Sequence, residues 1–177
     1  MSHVYKMLGI IALYALMHGH ASADEQSLWQ FPCDVYMSPA CMRLSGGMSV
    51  SYEVPADFGM YTVTSSGEGL VKVYVGFAPQ LPSGVPSLKL DSTNASMRGF
   101  LEKRDGINKL DVVITPKDKH LYTVHLFAQF PDERGPSVAA VLSGMRVCRI
   151  RGREELRCPA EAQWGRAMES WVNSKSP

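Results

Sequence analysis

Apolar and polar residues alternate with a period of two through much of this chain. Met48, Val50, Tyr52 and Val54 interleave with Ser49, Ser51 and Glu53, the pattern of a half-buried strand. Pro55-Ala56-Asp57 predicts a turn, Phe58 to Thr64 a second strand, and Ser65-Ser66-Gly67-Glu68-Gly69 a loop. Leu70 to Gly76, rich in Val71, Val73, Tyr74 and Val75, predicts a third strand. Successive strands usually pair, so these three are expected to form a meander. Arg98 to Glu102 and Leu110 to Thr115 predict a hairpin turning at Arg104-Asp105-Gly106.

Leu121 to Phe130 carries the strongest strand pattern. Tyr122, Val124, Leu126, Ala128 and Phe130 share one face, and Leu121, Thr123, His125 and Phe127 the other. Both faces are substantially apolar, which places this strand centrally in the sheet. After it, Ser137 is positioned to cap a short helix over Val138 to Leu142 that ends at Ser143-Gly144. Met145 to Ile150 and Glu155 to Cys158 predict a second hairpin bending near Gly152. Pro159 opens a C-terminal helix in which Trp164, Ala167, Met168 and Trp171 form one apolar stripe, a core-packing face.

Two stretches break the alternation. Asp24 to Gly47 reads as an irregular entry region with Pro32 and Pro39. Phe77 to Met97, with Pro79, Pro82, Pro86 and Gly84, reads as one long exposed loop, a length often tied to function. The expected class is α+β: an antiparallel sheet of six to eight strands, with a short helix and a C-terminal helix packed on one face. The order of elements does not alternate as strand, helix, strand, which argues against a parallel dinucleotide-binding sheet.

The first 23 residues stand apart from this pattern. Lys6 precedes the apolar run Met7 to Met17, His18-Gly19-His20 interrupts it, and Ala21-Ser22-Ala23 is a small-x-small site. This is the grammar of a secretory leader cut after Ala23, and the run is about half the roughly 20 residues a spanning helix needs. Of 177 residues, 154 would follow the cut, enough for one domain over 24–177 with its own core. With Lys6 removed, 17 basic residues face 17 acidic ones. That balance argues against a general nucleic-acid binder. No later segment is apolar enough for a membrane span, so no integral membrane association is expected after cleavage.

Export to a periplasm or the cell exterior gives meaning to Cys33, Cys41, Cys148 and Cys158. An even count in an oxidising compartment predicts two disulfides. Cys33–Cys41 and Cys148–Cys158 close short loops, and each bridge would contribute about 2–3 kcal/mol. Cross-pairing would instead tie the chain ends together. No metal or cofactor is expected. The cysteine spacing is not that of a zinc site, and only His120 and His125 follow the leader.

Signals for catalysis are sparse. There is no nucleophile elbow, no Ser-x-x-Lys and no His-Glu-x-x-His. Ser65 to Gly69 lacks the glycine spacing and the Lys-Ser/Thr of a phosphate loop. His125 has the chemistry of a general base, with Ser51 or Asp111 as conceivable partners, but its strand context favours a packed histidine. Asn94-Ala95-Ser96 is a sequon, which in a glycosylating host marks a surface loop.

Two features suit a protein partner. Phe77, Pro79, Leu81, Pro82 and Val85 alternate apolar side chains with ring-constrained backbone, so such a loop loses little entropy on docking. A cover over the core edge is the plainer account of the same residues. Arg149, Arg151 and Arg153 share a parity, and with Arg157 and Arg146 they would build a positive ridge. A solvated face balanced by Glu154 and Glu155 explains that run equally simply. The expected function is that of an exported inhibitor that binds a toxin or a hydrolase, as immunity-type proteins do. One alternative is a cell-envelope module holding a lipid, glycan or peptidoglycan fragment in a cleft between sheet and helix. Others are a hydrolase with dispersed residues and a self-associating structural subunit. Nothing in the pattern specifies an oligomeric state.

Overall fold

The alternating segments pair into one antiparallel sheet. The computed structural model of the chain describes residues 32–37, 39–151 and 155–175. The expected leader with its cut after Ala23, and Gly152, Arg153 and Glu154 at the hairpin bend, lie outside the described residues. Two short strands come first, β1 (Val35–Met37) and β2 (Ala40–Met42). Then follow β3 (Met48–Glu53), β4 (Gly59–Ser65), β5 (Glu68–Gly76) and β6 (Leu88–Asp91). Three long strands complete the sheet: β7 (Ala95–Arg104), β8 (Ile107–Pro116) and β9 (Thr123–Pro131). Helix α1 (Gly135–Ser143), strands β10 (Met145–Val147), β11 (Arg149–Arg151) and β12 (Glu155–Arg157), and helix α2 (Gln163–Lys175) close the order.

Seven strands form the main sheet in the order β3-β4-β5-β9-β8-β7-β6. The expected meander is its first three strands, and β9 lies at the centre as its two apolar faces require. Asp105 and Gly106 make the two-residue turn between β7 and β8, both at positive φ (53° and 77°), the geometry that matches strand twist in a tight hairpin. Val124, Leu126, Ala128 and Phe130 of β9 pack with Val73, Leu110, Val112 and the apolar residues of both helices in one core. Helix α1 rests on β5 and β9, and α2 on β6, β7 and β10. The Trp164–Trp171 stripe faces this core, with Met168 and Val172 fully buried in it. No helix among the described residues is long and apolar enough to cross a membrane.

Several local expectations differ. The irregular entry region contains β1 and β2, and β2 pairs with β10 to form a second sheet, β1-β2-β10. The loop after Phe77 is shorter than expected, because Leu88 and Leu90 alternate with Lys89 and Asp91 and pair with β7. Ser137 does not cap α1. It lies inside the helix, which starts at Gly135 behind a 3₁₀ turn, Asp132–Arg134, with no side-chain cap. Pro159 does not open α2, which begins four residues later. Tyr122 precedes β9 and is exposed rather than part of its core face. Met145 to Ile150 is not one strand: β10 pairs with β2 while β11 pairs with β12.

The disulfides are Cys33–Cys41 and Cys148–Cys158. They pack together, with the sulfurs of Cys41, Cys148 and Cys158 within 4.8 Å of one another. Strand pairing, rather than a crossed disulfide, therefore joins the early and late parts of the described chain. The register sets Cys41 opposite Arg146, and Cys148 N–H donates to Pro39 O at 2.8 Å.

A carboxylate links the β7–β8 hairpin to the entry of α1. Asp132 accepts from Lys103 Nζ at 2.6 Å and from Asn108 Nδ2 at 2.8 Å. These donors, Lys103 first, hold its carboxyl below the ordinary value. A carboxyl lowered in the folded state stabilises the protein above its unfolded pKa, about 4, and that contribution disappears as pH falls through the folded value. Asp132→Asn is therefore expected to flatten the acid limb of a stability-against-pH curve below about pH 4. Urea midpoints across pH 2 to 7 would check this, and parallel curves for both proteins would contradict it.

Candidate functional site

The helices cover one face of the main sheet, and the proline-rich crossover runs over the other. By register, Tyr74, His125 and Val113 form one cross-strand row on that second face, with Lys72, Phe127, Asp111 and Phe100 beside them. The crossover must reach from β5, third in the sheet, to β6 at the far edge, so it spans β9, β8 and β7. Its residues Ala78, Gln80, Leu81 and Pro82 line a cleft of about 610 Å³ together with Phe58, Tyr74, Lys109, Asp111, His125 and Phe127. The segment is a strap fastened at both ends. At its start, Ala78 N–H donates to the Tyr74 hydroxyl at 3.2 Å and the Phe77 ring lies 4.6 Å from that of Tyr122. At its end, Ser87 N–H donates to Gly99 O at 2.9 Å, and Trp171 Nε1 donates to Ser87 Oγ at 3.2 Å.

Under the strap lies a buried polar pair. His125 Nε2 meets Asp111 Oδ1 at 2.9 Å, and both side chains are about nine-tenths buried. An ionised carboxylate only accepts, so Nε2 is the donor in this contact. The ring also contacts Phe127, with centroids 5.4 Å apart. Of the two partners conceivable from sequence, Asp111 is thus the one in place; Ser51 lies on the edge strand β3. A carboxylate that orients an imidazole is the arrangement proton-transfer centres use. Among the described residues, no serine, threonine or cysteine lines this cleft. The cleft under the strap lies on the face of the sheet opposite the helices.

Phe77, Leu81 and Val85 are 64 %, 56 % and 86 % exposed, while Pro79 and Pro82 are half-buried. Beside the strap is an aromatic flank that sequence patterning did not single out. Tyr36, Tyr52, Val54 and Tyr122 line a common hollow, and all four are exposed. Tyr52 stacks on Tyr61 at 4.5 Å; burial, then the neighbouring Tyr52, raises the Tyr61 hydroxyl pKa. The Phe77–Tyr122 contact joins this flank to the strap. The flank was missed because Tyr36, Tyr52 and Tyr122 come from three separate segments.

The arginine hairpin is elsewhere. Arg149 and Arg157 are exposed and stand directly opposite each other across β11 and β12, just inside the Cys148–Cys158 bridge. Arg151 is placed by its backbone, opposite Glu155, and Arg153 lies outside the described residues. With Arg146 and the half-buried sequon residue Asn94, Arg149 and Arg157 line a second cleft. Comparison with family models, curated proteins and solved structures returned no match. What this chain can do follows from its two clefts and the aromatic flank.

Proposed function

We propose that this protein is an exported inhibitor that binds a second protein, a toxin or a hydrolase, through the strap and its aromatic flank. The carrying observation is a set of exposed apolar side chains: Phe77, Leu81 and Val85 along a proline-braced strap, and Tyr52, Val54 and Tyr122 around a hollow at its start, where Phe77 packs on Tyr122. Exposed apolar side chains in such number favour an interaction site, and tyrosine is enriched among residues that dominate binding energy. A braced segment gives up little freedom on docking. The two disulfides favour an oxidising compartment, which supports export.

The test begins with a photocrosslinking residue in place of Val85, used in the native host to identify what contacts the strap. The expected partner is a toxin or hydrolase whose activity falls when the purified protein is added. The triple variant Phe77→Ser, Leu81→Ser, Val85→Ser is expected to weaken binding by about two to three orders of magnitude, as loss of two interface anchors of about 2 kcal/mol each implies. Its unfolding should change little, since these side chains contribute little to the core. Inhibition that survives the triple substitution would refute this assignment.

A second reading rests on the cleft under the strap. Its size, its aromatic walls and its buried Asp111–His125 pair suit a small organic molecule such as a glycan unit. In that case the strap is a cover, and native mass spectrometry of protein purified from its host would show a retained mass that Leu81→Ser releases.

A further inference from the structure

The cleft beside the stapled hairpin shares no lining residue with the one under the strap. It measures about 540 Å³, and its walls include Arg146, Arg149, Arg157, Thr93, Asn94 and Trp164. Arg146 is buried, and the oxygens it bonds are neutral backbone carbonyls. Its Nη1 donates to Gly144 O at 2.7 Å, while Nε and Nη2 donate to Ala160 O at 3.3 and 3.2 Å. A guanidinium has five N–H groups, so one on Nη1 and one on Nη2 remain. Among the described residues no carboxylate lies within ion-pair distance of Arg146 or Arg149. Among the described residues, the one acid on the cleft wall is Glu161, engaged by Arg166 at 3.1 Å.

The fold therefore keeps cations together at a cost. Burial disfavours the Arg146 charge, the Arg43 cation adds to that, and Asp34 acts the other way. Arg149 faces Arg157 directly across the hairpin, a pairing of like charges that opposes the register the disulfide holds. Arg157 has contacts of its own, so recognition falls chiefly on Arg146 and Arg149. Arginine forks match phosphate oxygens in pairs, and a phosphomonoester carries close to two negative charges at neutral pH. The cleft is far larger than a bare oxyanion, and the Trp164 indole offers a flat wall to a ring.

We propose that this cleft binds a small soluble phosphomonoester, its phosphoryl group on Arg149 and the spare N–H groups of Arg146 and its ring body against Trp164. The test uses the full, oxidised protein, with glucose 6-phosphate, glucose and inorganic phosphate as probes. The readout is the Trp164 indole N–H signal in NMR spectra, with calorimetry alongside. Glucose 6-phosphate is expected to shift that signal saturably, inorganic phosphate to compete and glucose to do nothing. Arg149→Gln should weaken binding at least tenfold without lowering the melting temperature of the free protein, since it removes one of two opposed charges. Lys72→Gln serves as a second variant, which removes an exposed cation outside this cleft and should keep the affinity. No saturable shift, an equal response to glucose, or undiminished binding by Arg149→Gln would overturn the proposal. Sedimentation with phosphatidic acid vesicles but no response to glucose 6-phosphate would also overturn it.

Discussion

Replacing His125 with alanine is expected to lower the free energy of unfolding by about 3–5 kcal/mol, the usual cost of stripping a buried charged group of its partner. Among the described residues, His125 is the one side chain hydrogen-bonded to Asp111, and both sit beneath the strap on the central strands β8 and β9. Without the imidazole, the Asp111 carboxylate keeps no side-chain donor among the described residues. The double variant His125→Ala, Asp111→Ala removes that stranded charge. Its loss should fall short of the summed single losses by roughly 0.5–3 kcal/mol, the range for residues in direct contact. Urea titrations of the four proteins supply the whole cycle. Additive losses would show that the pair contributes nothing as a pair.

Trp171→Ala is expected to cost about 3–5 kcal/mol as well, for a different reason: it empties a large, shaped hollow. The indole is buried in the core between α2 and the sheet, and its ring lies over Gly99. A Cβ built on Gly99 would come within 2.8 Å of the ring, so glycine at this strand position is what lets the tryptophan in. Gly99→Ala should therefore destabilise the native protein yet be far better tolerated in the Trp171→Ala background. The same indole holds the end of the strap through Ser87. Hydrogen exchange over residues 77–87 should accelerate in Trp171→Ala by more than global destabilisation explains. Unchanged relative protection there would separate the strap from the helix.

How much of this was legible depended on how local each cause is. The β7–β8 turn was, because Asp105-Gly106 is a short-range signal for two consecutive positive φ values. Both disulfides were, since each closes a short loop. The capping role of Ser137 was misassigned because the helix starts earlier, at Gly135-Pro136, a proline-compatible first turn. Strands β1 and β2, three residues each, are too short for alternation to register, and the predicted strand at Met145 finds its partner only in β2. On the site, the pattern singled out the strap and its apolar residues. It placed His125 on the opposite strand face from Val124, Leu126 and Phe130, without choosing between two possible partners.

Residue order alone set the period-two strands, the central place of β9, the stripe of α2 and the α+β class, because each follows from side-chain periodicity within one segment. Strand order and register were decided by tertiary pairing between segments far apart. They lead the strap across the second face, set Asp111 diagonally against His125, and bring Arg146 beside the stapled hairpin. A hydrophobic pattern says which way a side chain points, but only the partner strand determines what it meets there.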